Sequence, residues 1–415
     1  MFAFAFDLIL TVSAAVRLSA DHANARRIPS EALPLPIILA IFQTKGDTEN
    51  VRTICFVPGS VSVSLGLVLV RLPALLFLLV VMSKSPIVSS LVINNVELIE
   101  VLGQDIISVT FVDVMYGSPS QIKISFDDTG TASDLIKQNT LVSIKFKYRN
   151  ESEEINTSTH TIDTIERQEI PSIVTFGGIG YHWLSGLSST EPIWRRDTKL
   201  NQLVNEIVNT YGLQFSGNPS SDVTVGTRSD PSDPYVEIRF NRPINALYTL
   251  GQQFGYSCQI WGSYLRFWSF AELNQLPTQG FLTLSDIGNV IQSVSSSFKR
   301  YSQVHVKYGG TVDNPLWAAS GNPDGGVEYL DREGFYRDNA SATFRSVGER
   351  YRLNNDADTL KLMTTGAPWQ YAERNITVTG FLYTSQNNGK YRIYKAIHML
   401  SGNGWDCELE LQKIE

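Results

Sequence analysis

Apolar and polar residues alternate along two separate parts of the chain, and this pattern predicts two groups of β-strands. In the first part the alternation runs over residues 90–176. It is clearest from Leu141 to Tyr148, where Val142, Ile144 and Phe146 share one face. Side chains two residues apart in a strand point to the same side of a sheet, so this face is expected to be buried. The part holds about six predicted strands, enough to close a small barrel.

The second part begins near residue 281 and has the same alternating character. Its predicted strands cover residues 291–298, 302–308, 375–383, 391–399 and 406–412. Glycine-containing turns at 387–389 and 401–404 separate strands and are typical of hairpins. Residues 309–345 are polar, contain scattered aromatics and have no clear period, which predicts a long loop. A loop of that length in a compact protein is usually functional or bound to a partner.

Between the two parts, residues 197–270 show helical spacing. Apolar residues at three- and four-residue intervals predict an amphipathic helix, and Gly212 ends it. A second short helix is predicted to begin at Pro243 and to end at Gly255. An aromatic hairpin over 256–270 follows, with its turn at Gly262. The segment therefore predicts a compact helix and strand unit set into a β protein.

Together these patterns predict a mainly β fold of the α+β kind, with two small tube-like β-barrels and an inserted α/β domain. The predicted bounds are 83–186 for the first barrel, 187–275 for the inserted domain and 276–415 for the second barrel. Residues 1–81 are predicted to form a leader outside this fold.

The leader contains an apolar run at 61–81, long enough at about 20 residues to span a bilayer. Arg71 and Pro73 interrupt this run, and Met82 follows it directly. Two interpretations stay open. In one, Met82 is the true start and the leader is translated upstream sequence; in the other, the run is a membrane anchor.

Composition and charge exclude several classes of function. The chain has 415 residues, of which 43% are hydrophobic and 18% charged, and this is ordinary for a globular protein. Its formal net charge of −7 provides no basic field for a nucleic-acid backbone, so the sequence gives no signal of nucleic-acid binding. Cys55, Cys258 and Cys407 are far apart, which excludes a dense disulfide framework and a CxxC-type zinc site.

Motifs that carry catalysis are missing from the sequence. None of the five histidines belongs to an HExxH or HxH pattern, and there is no GxSxG. Carboxylate pairs such as Glu153 and Glu154 lie in polar turns, where solvation explains them better than glycoside hydrolysis does. We therefore expect no enzymatic activity, no metal and no cofactor.

Aromatic residues are the remaining candidates for function. The chain has 7 Trp and 17 Tyr, more than two small cores need, and several fall in predicted loops. Large aromatics anchor protein interfaces because they bury much area at low entropy cost. The alternative is that each one fills a core or a barrel end. The interface candidates are Trp183, Trp194, Trp317, Tyr329, Tyr336, Trp369 and Trp405.

From Met82 onward, the order of elements resembles the baseplate hub proteins of contractile phage tails. This is the late-control protein D family, which is related to the hub portion of type VI secretion spike proteins. Four stretches carry the resemblance, each as a pattern of residue types. They are the helix and strands of 133–176, the helix ending at 211–213, the helix and aromatic hairpin of 247–270, and the closing hairpin of 398–411 around Trp405.

The resemblance implies a structural, non-enzymatic hub. In that family, three copies form a ring of six barrels that adapts a hexameric tail tube to a trimeric central spike. The implied partners are two further copies in a homotrimer, the tail tube protein, the central spike protein, baseplate wedge proteins and the tape measure protein. The implied location is the tail baseplate of a virion, after synthesis in the host cytoplasm.

Two other functions stay open at this point. One is a tail-associated peptidoglycan hydrolase, in which the inserted domain would cleave or bind the cell wall. The other is a membrane-anchored component of an injection machine that uses the apolar run at 61–81. Membrane contact is expected only in the second case.

Overall fold

The structure is a computed structural model that describes most of the chain after residue 84 and two short strands before it. Within 85–415 it describes every residue except 117, 129–130, 181–186, 188–192, 196–197, 229–237, 241, 263, 296–299, 332–333 and 415. The chain divides into two units, Met1–Leu78 and Leu79–Glu415.

The first unit is described only at one antiparallel strand pair, β1 (Leu39–Ile41) and β2 (Thr53–Cys55). The apolar run at 61–81 lies outside the described residues, so the two interpretations of the leader stay predictions. Among the residues that the structure describes, no helix is both long and apolar enough to cross a membrane.

The second unit begins with a set of antiparallel strands, the first strand set. Its strands are β3 (Pro86–Ile93), β4 (Val96–Glu97), β5 (Ile106–Val114), β6 (Gln121–Asp127), β7 (Leu141–Tyr148), β8 (Ile155–Asn156), β9 (His160–Gln168) and β10 (Ile173–Gly180). Two short helices, α1 (Ile99–Leu102) and α2 (Thr131–Leu135), connect them. On β7 the alternation is as predicted, with Val142, Ile144 and Phe146 fully buried.

The middle region contains the predicted helices and hairpin. Its elements are β11 (Ile193–Arg195), α3 (Leu200–Thr210), β12 (Gln214–Gly217), β13 (Thr227–Arg228), β14 (Ile238–Phe240), α4 (Pro243–Phe254), β15 (Tyr256–Trp261), β16 (Tyr264–Ser269) and α5 (Phe270–Gln275). Both helices are confirmed. Gly255 takes a left-handed φ of 73° at the end of α4, a conformation that strains any residue with a Cβ.

The remaining elements run to the C-terminus. They are β17 (Gly280–Leu282), β18 (Ile287–Ser295), β19 (Gln303–Gly310), β20 (Pro315–Gly321), β21 (Glu328–Leu330), β22 (Phe335–Tyr336), α6 (Asn339–Asn355), β23 (Asp358–Thr365), β24 (Asn375–Val378), β25 (Gly389–Ser401) and β26 (Gly404–Lys413). The mainly β class is confirmed.

The prediction of a long loop over 309–345 is wrong, because β20, β21, β22 and the start of α6 lie there. The sequence of helix α6 shows no clear apolar stripe. The helix is held in place instead by a buried ion pair and by a close contact between two backbones. Arg345 is buried and donates from Nε to Asp331 Oδ2 at 2.9 Å. At Gly348 an added Cβ would lie 2.3 Å from the backbone nitrogen of Gly255, so α4 and α6 touch through glycine.

One continuous sheet joins the first strand set to the C-terminal strands. Its path is β18-β23-β26-β25-β5-β6-β10-β9-β7-β3-β4, with β25 and β5 paired from Lys395↔Val114 to Ser401↔Ser108. Side chains follow the same connection: Leu400 and Trp405 of the C-terminal hairpin lie in the core of the first strand set with Phe146. The two ends of the described unit therefore share one core.

A second core and a middle core lie beyond the core of the first strand set. The second core lies among β23, β24, β25 and β26 and contains Leu362, Ile376 and Leu409. The middle core joins Leu203 and Leu247 to buried residues from after position 276, among them Val306 and Ala342. Strands assigned from sequence to the second barrel thus contribute to three cores: the second core, the middle core and, through Leu400 and Trp405, the core of the first strand set. The predicted domain bounds, and the closure of each strand set into a barrel, stay predictions.

Candidate interaction surface and buried junction

The sequence-predicted interface aromatics occupy different environments. Trp183 lies outside the described residues, and Trp194 lies in β11, where only the backbone is described. Trp317 on β20 is 41% exposed and meets the ring of His305 edge-on, with centroids 6.4 Å apart. Its role as an interface residue stays a prediction.

Tyr329 and Trp369 are half-buried. The Tyr329 ring meets the Tyr301 ring at 5.3 Å, at the margin of the middle core. Trp369 covers Gly280 so closely that a Cβ there would lie 2.5 Å from its ring. Each side chain therefore has a packing role within this chain and keeps only part of its surface for a partner.

Tyr336 and Trp405 require a correction, because both are core residues. Tyr336 is 1% exposed and packs against Phe254, while Trp405 is 2% exposed and donates from Nε1 to His398 Nδ1 at 3.2 Å. Buried rings with partners inside the chain leave no surface for another protein. Glycines next to Trp405 in sequence indicated a turn, yet the ring points inward from the strand that follows that turn.

A surface that the sequence did not predict lies at an edge of the sheet. We call it the edge patch: Phe281, Leu284, Leu382 and Tyr383 are respectively 71%, 51%, 85% and 100% exposed. Phe281 lies on β17, which pairs with β24, and no other described strand pairs with β17. Contiguous exposed apolar side chains on a soluble protein mark interaction sites.

Backbone contacts bring the two parts of the edge patch together. Thr379 N donates to Leu282 O at 2.9 Å, and a Cβ at Gly380 would lie 3.4 Å from Leu284 Cβ. Phe381, 9% exposed, packs into the second core and anchors the loop that carries Leu382 and Tyr383. The patch therefore has a fixed base. The run of Phe381, Leu382 and Tyr383 was assigned from sequence to a strand over 375–383, whereas β24 ends at Val378 and leaves the run in a loop.

Strand β18 begins three residues after Leu284 of the patch and forms a second free edge, on the other side of β25 from β17. It pairs with β23, and no second strand pairs with it in the described part of the chain. Its nine residues are all exposed or half-buried, and Ile291 is 44% exposed. An uncovered edge strand offers unpaired N–H and C=O groups to another chain, so proteins usually cover it. The edge patch and β18 together form the strongest candidate interaction surface.

A buried polar junction holds β5, the β15–β16 hairpin and the segment after Tyr371 together. Gln259 Nε2 donates to Asp113 Oδ1 at 2.6 Å, and Ala372 N donates to Asp113 Oδ2 at 2.8 Å. Ser257 Oγ donates to Glu373, and Arg266 Nη1 lies 3.5 Å from Glu373 Oε2. Both carboxyl groups are thereby bonded to other parts of the chain.

Burial dominates the acidity of this junction. It raises the pKa of Asp113 to about 7, and it also raises the pKa of Glu373, which the charge of Arg266 opposes. Paired carboxyls with raised pKa values occur in acid–base enzymes as well. Here Asp113 has no solvent exposure and accepts an N–H bond at each oxygen, so this geometry fits a structural role.

Replacing Asp113 by asparagine is expected to change how stability depends on pH. A carboxyl with its folded pKa raised to about 7 stabilises the fold below its ordinary pKa of 3.8, and this contribution is lost as the pH rises through 7. Between about pH 6 and pH 8, the free energy of unfolding of wild type should therefore fall by about 1 kcal/mol more than that of Asp113→Asn. Denaturant unfolding at both pH values measures this.

The matched control is Asp134→Asn, because Asp134 is exposed on α2. Its pH profile should follow that of wild type. If Asp113→Asn and wild type lost the same free energy between the two pH values, the assignment of this pH dependence to Asp113 would be wrong.

Metal chemistry has no support in the described residues, where no group of three or more His, Cys, Asp or Glu side chains is placed to hold an ion. Cys258 and Cys407 are buried free thiols, and burial raises the pKa of both well above the ordinary value. Neither thiol is therefore activated as a nucleophile at neutral pH.

Comparison with solved structures identifies the fold. The 43 kDa tail protein of prophage MuSo2 from Shewanella oneidensis is similar with a TM-score of 0.54 and 13% sequence identity, over 80% of this chain and 98% of that one. The tail protein from Neisseria meningitidis MC58 is similar with a TM-score of 0.58 and 10% identity, over 80% and 97%. No protein-family model and no curated protein matches the sequence. The resemblance to phage tail proteins is confirmed at the level of the fold.

Proposed function

We propose that this chain is a non-enzymatic structural protein of a phage tail and forms the hub of a baseplate. The observation that carries the proposal is the fold shared with two tail proteins, one of them from a prophage, over nearly their whole lengths. In this role three copies form a ring that adapts a hexameric tail tube to a trimeric central spike. Baseplate wedge proteins and the tape measure protein are further partners, and the protein belongs to the virion.

The candidate interaction surface supports assembly of this kind. In a closed ring, each copy uses one surface to meet the next copy and a different surface to be met by it. The sheet path offers two such ends, the β18 edge and the β3–β4 edge, and Leu284 of the edge patch lies three residues before the start of β18. We propose that the edge patch and β18 face the next copy, because contact with that copy would cover both the exposed apolar side chains and the free edge of β18.

Mass measurement in solution tests the proposed ring. Native mass spectrometry of the full chain is expected to give three times the chain mass of 46.2 kDa, or three times the mass of any shortened chain that the cell produces. A particle that stays monomeric at every concentration, and binds neither tube nor spike protein, would overturn the hub proposal while leaving the fold assignment intact.

Replacing Leu382 by glutamate is expected to weaken each interface of the trimer about tenfold, equivalent to about 1.4 kcal/mol per interface. Leu382 is 85% exposed in this chain, so the change should leave the unfolding free energy of the monomer unaltered. Analytical ultracentrifugation over a concentration series measures the shift.

The matched control for Leu382→Glu is Ile170→Glu. Ile170 is 89% exposed and lies in the β9–β10 turn, so the same change of charge and size is made on a different hairpin. Equal weakening by both variants would show that added charge, rather than loss of the edge patch, had separated the copies.

A further inference from the structure

A cavity of about 240 Å³ lies where α5 and α6 meet the C-terminal hairpin β25–β26. Four cationic residues line it: Arg300, Arg350, Arg392 and Lys413. The only carboxylate among the lining residues is that of Asp358. The described lining therefore has an excess of three positive charges, which is unusual for a partly enclosed space.

Two of these cations already have partners. Arg300 forms an ion pair with Asp358, whose other oxygen accepts from Ser295 Oγ at 2.6 Å. Lys413 Nζ donates to Gln386 O at 2.6 Å. The other two cations, Arg350 and Arg392, each have a guanidinium Nε without an acceptor among the described residues.

Arg392 is built into the base of the cavity. Its side chain is on β25 opposite Gln412, and the residue is only 3% exposed. Nη2 bonds to Asn274 and lies 3.4 Å from Phe270 O, which fixes the guanidinium. Its Nε is buried and has no hydrogen-bond acceptor in the described chain. The nearby Glu373 lowers the electrostatic cost of this charge, but it is engaged with Ser257 and Arg266.

Two more donors at this cavity are buried without an acceptor. They are Arg350 Nε and Asn355 Nδ2, both on α6, and the only unpartnered acceptor among the lining residues is Gln412 Oε1. A buried donor without an acceptor costs about 1–3 kcal/mol, so native proteins rarely leave several at one place. Three unpartnered donors on residues that line one cavity, together with its excess positive charge, favour an acceptor that is itself negative.

We propose that this cavity is a binding site for a small oxyanion, with Arg392 and Arg350 as its principal ligands. Guanidinium groups bind carboxylate and phosphate oxygens through paired N–H donors, and Asn355 supplies a third donor from α6. The volume holds one such group with a few waters, each of which occupies about 30 Å³ in the liquid. The source is either a free phosphate or a carboxylate group.

The bound oxyanion joins α6 to β25, because its two arginine ligands come from these two elements. Helix α6 packs on the middle core, whereas β25 belongs to the continuous sheet. The site thus acts as an electrostatic connection between the middle region and the C-terminal hairpin. Its stabilising effect depends on the oxyanion concentration relative to its Kd.

Calorimetric titration of the full-length protein with inorganic phosphate tests the site, and acetate in a second titration tests the carboxylate source. Ionic strength is matched with sodium chloride. We expect saturable binding, and Arg350→Gln should weaken it at least tenfold while Arg350→Lys weakens it less. Binding of phosphate alone assigns a phosphate source, and binding of acetate alone assigns a carboxylate.

Arg167→Gln is the matched control. Arg167 is exposed on β9, so this substitution removes the same charge at a site away from the cavity. Circular dichroism confirms that each variant is folded. The proposal is overturned if neither anion binds more strongly than chloride, which would leave water in the cavity. It is also overturned if Arg350→Gln, Arg350→Lys and Arg167→Gln all bind the anion as wild type does.

Discussion

Replacing Trp405 by alanine is expected to lower the free energy of unfolding by about 3–5 kcal/mol, the largest effect of any single change considered for this chain. The ring is 2% exposed and meets Phe146 and Tyr148 with centroids 5.1 and 5.0 Å apart. It also lies directly on Gly366, where a Cβ would come within 2.1 Å of Nε1. Close-packed surroundings of this kind collapse little into a vacated space, so most of the cavity remains.

Two measurements check this expectation. Denaturant unfolding gives the free energy, and hydrogen exchange shows where protection is lost. Because Trp405 fills the core of the first strand set, amides of β7 should lose protection although they are more than 250 residues earlier in the chain. Loss confined to β25 and β26 would contradict the shared core.

The matched control is Trp317→Ala, which removes the same side chain from an exposed position. Trp317 is 41% exposed, so this variant should lose less than about 1 kcal/mol. If the two variants unfolded at the same denaturant concentration, Trp405 would not be the core residue described above.

Replacing His398 by glutamine is expected to destabilise the protein at neutral pH but not at about pH 4. His398 is fully buried; its Nε2–H donates to Gln370 O at 2.8 Å, and its Nδ1 accepts from Trp405 Nε1 at 3.2 Å. These two bonds require the neutral ring. Burial lowers the pKa of His398 to about 4, far below its ordinary value of 6.5.

The sign of the pH effect follows from that difference. Since the unfolded chain binds a proton at His398 more readily, the stability that the neutral ring contributes is fully present above pH 6.5 and is lost as the pH falls through 4. The gap in unfolding free energy between wild type and His398→Gln should therefore shrink by about 3 kcal/mol between pH 7 and 4. Asp113 and Glu373 have the opposite pH dependence, but they are present in both proteins, so their contributions cancel in the difference between wild type and His398→Gln.

His160 provides an independent check of the same expectation. It is also fully buried, Ser120 Oγ lies 3.1 Å from its Nε2, and burial lowers its pKa to about 4. His160→Gln should narrow its gap to wild type over the same pH range, whereas the gap for Trp317→Ala should stay constant. A His398→Gln gap that did not change with pH would show that the ring is not kept neutral by burial.

The parts of the fold that could be predicted are those in which one face of an element is apolar. Val142, Ile144 and Phe146 alternate because β7 has one face in a core, and Leu203 and Ile207 share a stripe because α3 lies on the middle core. In these elements burial is decided locally, by side chains of the same element. The spacing of apolar residues in the sequence is therefore enough to predict these elements.

Helix α6 shows why other parts could not be predicted. Its position depends on Arg345 reaching Asp331 and on Gly348 touching Gly255, which is 93 residues earlier in sequence. Neither contact produces a periodic pattern of residues that could be recognised in a single sequence. The edge patch was missed for a similar reason, because its two parts are brought together only by the parallel pairing of β17 with β24 and the Thr379–Leu282 backbone bond.

Trp405 illustrates a signal that was present and outweighed. Trp405, Cys407, Leu409 and Leu411 alternate along β26 and are all buried, as a strand with one core face requires. Trp405 was instead named as an interface candidate together with the other large aromatics. Periodicity was the more reliable guide here.

The pairing of β25 with β5 also constrains how the protein is made. A ribosome releases β5 long before it has synthesised β25, so during elongation β5 has an open edge and the first strand set lacks Leu400 and Trp405. The first strand set can therefore close its core only after β25 and β26 have been synthesised. A truncated product of stalled translation would thus carry an unfinished core at its beginning, and would be a natural substrate for chaperones or proteases.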